Sequence, residues 1–299
     1  MRTGVATDGS AALAPEAAPA RSGGRREIFL RVASAVVLAP LGLWAAYSGG
    51  LPLLIATGVC GVIAACEWTR MAAQTETAWA KYLLYVVMGA TAAVAVYFAP
   101  QARGIELVAV TALVGCVVSA GIAHLGKGSA SSMAFGAIYT TLPFGCFVWI
   151  REATPDGQLF LMAILAIVWT TDVAAYFAGR GFGGPLLSPK DSPNKTWTGA
   201  IGALVCAGLA GAAVARGAGG DFMHWLAFSL ALSVVGQSGD LLESRFKRLY
   251  GVKDTSGIVP GHGGVLDRLD GLMAATVGAA VIVKFLPALV PSLGSAGGG

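Results

Sequence analysis

The sequence predicts an all-α, polytopic integral membrane protein, with about nine transmembrane helices and a cytosolic N-terminus. The first supporting observation is composition: of 299 residues, 56% are hydrophobic and 12% are charged. Soluble domains carry about 25% charged residues, so this chain has too few to cover a water-exposed surface. The other two observations are a series of long apolar segments and an uneven distribution of Lys and Arg. Together they exclude a soluble enzyme, a disordered regulator and a disulfide-stabilised secreted domain.

Each apolar segment is a candidate transmembrane helix, because a helical crossing needs about 20 mainly apolar residues. The second segment is short, and the eighth ends in the polar residues Gln237, Ser238 and Asp240. The nine segments are 28–48, 51–66, 82–99, 104–123, 133–150, 159–178, 198–215, 222–239 and 271–290.

The basic residues predict the orientation of these spans. With the N-terminus inside, the cytosolic segments contain fifteen of the 20 Lys and Arg residues, whereas the opposite loops contain Arg103, Arg151 and Arg216. Such a bias is the expected positive-inside pattern. It also supports the number of spans, because removing one internal span would invert every later loop.

Composition divides the chain into four regions. Residues 1–26 are rich in Ala, Gly, Pro and Arg without periodicity and predict a disordered cytosolic tail. Residues 27–157 form an N-terminal transmembrane scaffold with plain loops. Residues 158–291 form a C-terminal transmembrane catalytic region, because two motif-rich loops lie there on the predicted cytosolic side. Residues 292–299 are a flexible Gly/Ser-rich tail.

The main polar block extends from residue 239 to residue 271. Four polar residues of this block are spaced i, i+3, i+4, i+7, so in a helix they share one face. Gly251 is a natural end for that helix. A glycine-rich stretch, 260–264, follows. Asp267 and Asp270 then lie on one face at the start of the last span. The first set is Asp240, Glu243, Ser244 and Lys247.

Carboxylates, basic side chains and glycines at a membrane boundary suit one kind of chemistry. Mg²⁺ prefers carboxylate, phosphate and water oxygens, Lys and Arg neutralise phosphate charge, and glycine lets backbone N–H groups approach phosphate closely. The block therefore predicts metal-dependent phosphoryl or nucleotidyl transfer. The simpler alternative is a juxtamembrane charge run that fixes topology and contacts anionic lipid, but topology requires no acidic residues.

A second polar block precedes it. Asp172 lies inside the apolar stretch 159–178, where a carboxylate is costly and suggests a metal or water-mediated contact. The alternative is a hydrogen bond that locks two helices together. Four further residues offer donors for nucleotide phosphate or ribose, unless they only begin the next helix. They are Ser192, Asn194, Lys195 and Thr196.

These motifs resemble the phosphatidate cytidylyltransferase (CDP-diacylglycerol synthase) family. The resemblance is carried by residues 244–248, Lys253–Asp254 and the stretch PGHGGVLDRLD at 260–270, and it extends back through 172–180 and 192–197. The N-terminal half resembles the family only in hydropathy. Gly271 and Thr198 depart from the family pattern, which often has Ser and Glu or Gln at these positions.

The resemblance implies transfer of CMP from CTP to phosphatidic acid, which yields CDP-diacylglycerol and pyrophosphate in phospholipid biosynthesis. It implies Mg²⁺ with a second cation, for which K⁺ is a candidate. The family's metal-binding aspartates correspond to Asp240 and Asp267, and Asp172 and Asp270 are candidate further ligands. The attacking phosphate is already an anion, so catalysis needs mainly positioning and charge neutralisation.

The resemblance also suggests roles for the remaining polar residues. Lys247 and Arg268 join the two aspartates as catalytic candidates, and Arg268 is expected to stabilise the leaving pyrophosphate. His262 either contacts phosphate or cytosine or shapes its loop. The expected substrate-binding residues are Ser192, Asn194, Lys195, Thr196, Ser244, Arg248, Lys253, His262, Gly263 and Gly264.

Other functions remain open at this point. They are transfer to a different lipid phosphate, a CDP-alcohol phosphotransferase, and a cation transporter. The stretch from Asp270 to Ala275 disfavours the phosphotransferase, because it lacks the arginine and the later acids of that motif, and the Lys/Arg cluster disfavours the transporter. The net charge of +4 gives little support to nucleic-acid binding. The expected partners are CTP, phosphatidic acid and membrane lipid, and a homodimer is compatible with the sequence. We expect a bacterial plasma (inner) membrane, with the active site on the cytosolic face.

Overall fold

A computed structural model describes residues 25–259, 261 and 263–292 of the chain. Within this part nine α-helices follow one another, so the predicted all-α class is confirmed. A short antiparallel ribbon and one 3₁₀ turn, Pro287–Leu289, complete the structure. The helices are α1 (Arg25–Ser48), α2 (Gly50–Ala72), α3 (Ala78–Phe98), α4 (Gly104–Leu125), α5 (Ala130–Ala153), α6 (Gly157–Phe182), α7 (Trp197–Ala218), α8 (Phe222–Leu249) and α9 (Leu266–Phe285).

Seven of the helices in the described part, α2 to α8, are long and apolar enough to cross a membrane. In α1 only Val32–Ser48 forms a shorter apolar helix, and α9 begins with the charged residues Asp267, Arg268 and Asp270. The number of nine spans and the side of the N-terminus therefore remain predictions. The predicted tail 1–26 lies outside the described residues except where α1 begins at Arg25, and 293–299 also lie outside them.

Helix α8 corrects one boundary of the predicted spans. The eighth span was expected to end near residue 239, but the helix continues through Asp240 to Leu249. Asp240, Glu243 and Lys247 therefore lie on one continuous helix, which ends just before Gly251 at φ +70°. A residue with positive φ is a common helix terminator.

The helices pack as two groups that share α5. In the group α2 to α5, α3 and α5 each contact the other three helices. In the group α6 to α9, α6 and α8 do so, and α5 also contacts α6 and α9. Among the spanning helices α5 is the most enclosed. The aromatic ring of Trp68 on α2 packs against Phe135 and Tyr139 on α5 and against Phe246 on α8, so it joins the two groups near one end of the bundle.

The connections between helices define two ends of the bundle. At one end, Gln74 after α2 donates a hydrogen bond to the Tyr250 carbonyl after α8, and Thr77 donates to Gly126 between α4 and α5. At the opposite end, Arg151 on α5 bonds the Ala46 carbonyl on α1. Both polar motif loops, 183–196 and 250–265, connect helices at the first end. We call it the site end and the opposite one the far end.

A small β-ribbon connects α6 to α7 at the site end. Strands β1 (Leu186–Ser188) and β2 (Ser192–Thr196) pair in antiparallel fashion, and Ser188 donates a hydrogen bond of 2.9 Å to Asp191 in the turn. The ribbon was not expected from the sequence. It carries residues 192–196 of the second polar block and places them beside α8, which contacts β2.

Candidate active site

The glycine loop before α9 is built around two close approaches. Gly263 adopts φ +90° and forms an isolated bridge with Val259. A Cβ atom at Gly264 would lie 2.6 and 2.7 Å from the two carboxylate oxygens of Glu67, so this position has no room for a side chain. Gly263 is therefore required by its backbone conformation, and Gly264 by its contact with a buried acid.

Asp267, in the first turn of α9, is held on both carboxylate oxygens. Its Oδ2 atom accepts hydrogen bonds from the backbone N–H groups of Thr255 at 2.9 Å and Gly264 at 2.8 Å. The Thr255 hydroxyl lies 3.0 Å from the same oxygen. Its Oδ1 atom lies 2.8 Å from Lys247 Nζ. The carboxylate is thus directed by the loop that precedes it and by α8.

Lys247 forms a second ion pair with Glu243, at 2.6 Å. Glu243 and Lys247 are spaced i, i+4 on α8, an arrangement that favours contact on a helix surface. The exposed fractions of the side chains are 3% for Glu243 and Asp267 and 15% for Lys247. A single ammonium therefore neutralises part of the charge of two nearly buried carboxylates.

Asp240 is paired separately, with Lys195 of the ribbon. The pair is more accessible, since the side chains of Lys195 and Asp240 are 26% and 35% exposed. Asp172 on α6 is exposed, and Asp270 is half-buried one turn after Asp267 on α9. Two of the four predicted metal ligands, Asp240 and Asp267, are thus each paired with a lysine at the site end.

The other predicted residues surround this centre. Thr196 accepts a hydrogen bond of 3.1 Å from the Gly199 N–H and so caps α7, as the simpler alternative for that segment expected. Asn194 is exposed on the ribbon, and Ser192 is half-buried at its register pair with Ser188. On α8 and its neighbouring segments, Ser244 is half-buried and Arg248, Lys253 and Arg268 are exposed. His262 lies outside the described residues.

The donor set suits a hard divalent cation. In the described part of the chain no three acidic, His or Cys side chains are arranged as a ready ligand set. Mg²⁺ is commonly bound by one or two carboxylates together with substrate phosphates. Asp240 and Asp267 have this donor chemistry, but each is paired with a different lysine in the structure, so their joint role as metal ligands remains a prediction.

Sequence reasoning missed Glu67 on α2, which is 1% exposed and contacts the glycine loop. The second predicted span ended at residue 66, so Glu67 lay outside it and was given no role. The structure continues α2 to Ala72. A carboxylate inside a membrane helix is costly and often functional. Applied to Glu67 as it was to Asp172, this rule was the signal that could have found it.

The fold and the site define a polytopic membrane enzyme with acid–lysine pairs at one end of its helical bundle. Residues 29–286 match the cytidylyltransferase family. The chain belongs to this family, so it is a nucleotidyltransferase and not a cation transporter.

Similar proteins include several named phosphatidate cytidylyltransferase. The protein of that name from Brucella suis is 37% identical over 248 residues, which cover 82% of this chain and 89% of the relative. The Bacillus subtilis protein of the same name is 41% identical over 46% of this chain and 52% of the relative. The one from Staphylococcus aureus strain COL is 43% identical over 42% of this chain and 50% of the relative.

Proposed function

We propose that this protein transfers CMP from CTP to phosphatidic acid, forming CDP-diacylglycerol and pyrophosphate. The observation that carries this proposal is the 37% identity to a phosphatidate cytidylyltransferase across most of both chains. The site geometry supports it, because acid–lysine pairs at the end of an apolar bundle can receive a charged nucleotide and a membrane lipid together.

In this proposal the two lysines serve as anion-binding groups that are prepared in advance. Lys195 and Lys247 each contact a carboxylate in the structure. When phosphate groups arrive, each ammonium can share its protons between carboxylate and phosphate oxygens. Arg248, Lys253 and Arg268 are exposed around the same end and would bind the phosphates of CTP or of the lipid.

Asp240 and Asp267 would hold Mg²⁺, with Asp172 and Asp270 nearby and K⁺ as a candidate second cation. When bound, the divalent ion supplies neutralising charge to the phosphates at the reacting centre. The protein residues orient the lipid phosphate oxygen towards the α-phosphorus of CTP. The glycine loop and the basic residues stabilise charge on the departing pyrophosphate.

We also propose that the site end faces the cytosol and that the protein resides in a plasma (inner) membrane. The large excess of Lys and Arg in the segments assigned to the cytosol supports this orientation. It also gives the site direct access to cytosolic CTP, while the helices allow the lipid substrate to approach from the bilayer.

The proposed function is tested with purified protein in detergent micelles containing phosphatidic acid. CTP labelled at the α-phosphate should yield a chloroform-soluble labelled product, whereas CTP labelled at the γ-phosphate should label only pyrophosphate. Diacylglycerol, which lacks the phosphate nucleophile, serves as the matched control and should accept no label. Absence of lipid labelling with phosphatidic acid would contradict the proposal, and labelling of a different lipid phosphate would redirect it.

A further inference from the structure

Glu67 connects the N-terminal helices to the candidate active site. It belongs to α2, in the half of the chain that the sequence assigned to scaffold, and its side chain is buried. Its hydrogen-bond partners lie 188 to 199 residues later. A buried carboxylate is expensive unless its oxygens are well satisfied, so the identity of these partners indicates what the residue does.

Two of the partners are backbone N–H groups at the start of α9. Val265 donates to Oε1 at 2.9 Å and Leu266 donates to Oε2 at 2.8 Å. The first N–H groups of a helix lack an internal acceptor, and Val265 at the N-cap of α9 makes no side-chain capping bond of its own. Glu67 therefore caps α9 from another helix, with its negative charge at the positive end of the α9 dipole.

Two further partners are hydroxyls of the motif loop. Ser256 donates to Oε1, and Thr255 Oγ1 lies 3.1 Å from Oε2. The Thr255 hydroxyl also lies 3.0 Å from Asp267 Oδ2. Thr255 is 4% exposed, so a buried hydroxyl lies between Glu67 and Asp267, and its single proton is shared between the two carboxylates or donated to one of them at a time.

We propose that Glu67 is a positioning residue for the cytidylyl transfer, acting through Thr255 and the first turn of α9 to hold Asp267 in place. The inference rests on the proposed function, since Asp267 is the expected metal ligand. It changes the role of the N-terminal half, because α2 then supplies a fixed anchor against which the glycine loop and α9 are set.

The direct test is hydrogen–deuterium exchange of the Glu67→Gln variant without nucleotide or metal. Glutamate accepts on two oxygens, whereas glutamine has only one. The glutamine NH₂ group would therefore face the N–H of Val265 or of Leu266, and two donors cannot hydrogen-bond each other. We expect exchange in peptides covering 259–266 to rise by roughly tenfold or more, because a hydrogen bond to a charged acceptor is lost.

The chain offers a matched control at the far end. Glu152 on α5 accepts a hydrogen bond of 2.8 Å from the Gly50 N–H at the start of α2, so it also caps a helix from another helix. Glu152→Gln should leave exchange at 259–266 and the activity unchanged.

A second readout is the Mg²⁺ concentration that gives half-maximal activity. If Glu67 positions Asp267, this concentration should rise by about tenfold or more in Glu67→Gln, as for other residues that orient metal ligands. A purely structural role would reduce the amount of active protein without moving the half-maximal concentration. Thr255→Val removes only the linking hydroxyl and should shift both readouts in the same direction, by less.

The outcomes separate the two proposals. If the wild-type protein transfers no cytidylyl group to phosphatidic acid, the proposed function fails, while the exchange experiment still tests Glu67. If the wild type is active but exchange and the Mg²⁺ requirement are unchanged in Glu67→Gln and Thr255→Val, the positioning role is wrong. Should Glu67→Gln not fold, Glu67→Asp, which keeps the charge on a side chain one methylene shorter, is judged by the same two measurements, and unchanged values would contradict the positioning role.

Discussion

At the scale of single residues, Lys247 forms ion pairs with two nearly buried carboxylates of the site. Its ammonium lies 2.6 Å from Glu243 and 2.8 Å from Asp267, and both acids are almost fully enclosed. From the sequence, Lys247 was expected to bind phosphate. The structure places it first as the counter-ion of two carboxylates, so its substitution should affect stability as well as substrate binding.

We therefore predict that Lys247→Met destabilises the protein by about 3–5 kcal/mol, because removing one partner leaves uncompensated buried charge. Thermal unfolding in detergent measures the effect, and adding Glu243→Gln should recover part of the loss. The control is Lys284→Met, whose partner Glu106 is 41% exposed at the far end; exposed pairs contribute little. Equal unfolding temperatures for Lys247→Met and the wild type would contradict the prediction.

The two aspartates should differ when each is changed to asparagine. Asp240 is 35% exposed and contacts one lysine, whereas Asp267 is 3% exposed and accepts bonds on both oxygens. Asp240→Asn should lower kcat by about 10²–10³-fold with little change in unfolding temperature. Asp267→Asn should lower both quantities. Parallel assays and unfolding curves check this, and near wild-type turnover in Asp240→Asn would remove it from the metal site.

At the scale of elements, the interface between α8 and α9 sets the separation of the acids that the two helices carry. A Cβ atom at Gly239 would overlap the Ala274 side chain and lie 2.9 Å from the Asp270 carbonyl. A Cβ atom at Gly271, on the same interface, would lie 3.4 Å from the Gly236 carbonyl, which is ordinary contact. The two glycines of this interface thus differ in the space that is available to a Cβ atom.

Gly239→Ala should force α8 and α9 apart, destabilise the protein by about 1–3 kcal/mol and reduce transfer activity at least tenfold. Gly271→Ala should be tolerated in both respects. Unfolding temperature and kcat of the two variants measure the difference. If Gly271→Ala proves as damaging as Gly239→Ala, steric separation of the helices is not the cause.

Local patterns predicted most of these elements. The spacing of Asp240, Glu243 and Lys247 predicted one helical face, and Asp267 with Asp270 predicted another at the start of a helix; α8 and α9 confirm both. The ribbon was not predicted, because strands of three and five residues are too short to show an alternating pattern.

A carboxylate in an apolar helix could have drawn attention to Glu67, but its partners could not be predicted from the sequence. Its partners are fixed by the packing of α2 against distant segments, and periodicity reports which face of a helix a residue occupies but not what lies opposite that face. An acid that follows an apolar run looks the same whether it meets water or a helix N-terminus 198 residues later.

At the scale of the whole molecule, charge and chemistry coincide at one end of the bundle. Lys195, Lys247 and their carboxylate partners lie at the site end, together with Arg248, Lys253 and Arg268, whereas Arg103 and Arg151 belong to the far end. Basic residues that orient a membrane protein are commonly retained on the cytosolic side. In this chain the same end also carries the residues proposed to bind phosphate. An experiment that determines the orientation of the bundle therefore also determines on which side of the membrane the proposed catalysis takes place.

Helix α3 allows that orientation to be tested without altering any charge. Thr75 precedes α3 at the site end and Gln101 follows it at the far end, and both are exposed. The native cysteines all lie within helices, so a membrane-impermeant maleimide should react with them slowly. In sealed spheroplasts Gln101→Cys should be labelled at once, and Thr75→Cys only after permeabilisation. The reverse pattern would place the acid–lysine pairs outside the cell, away from CTP, and would overturn the proposed orientation.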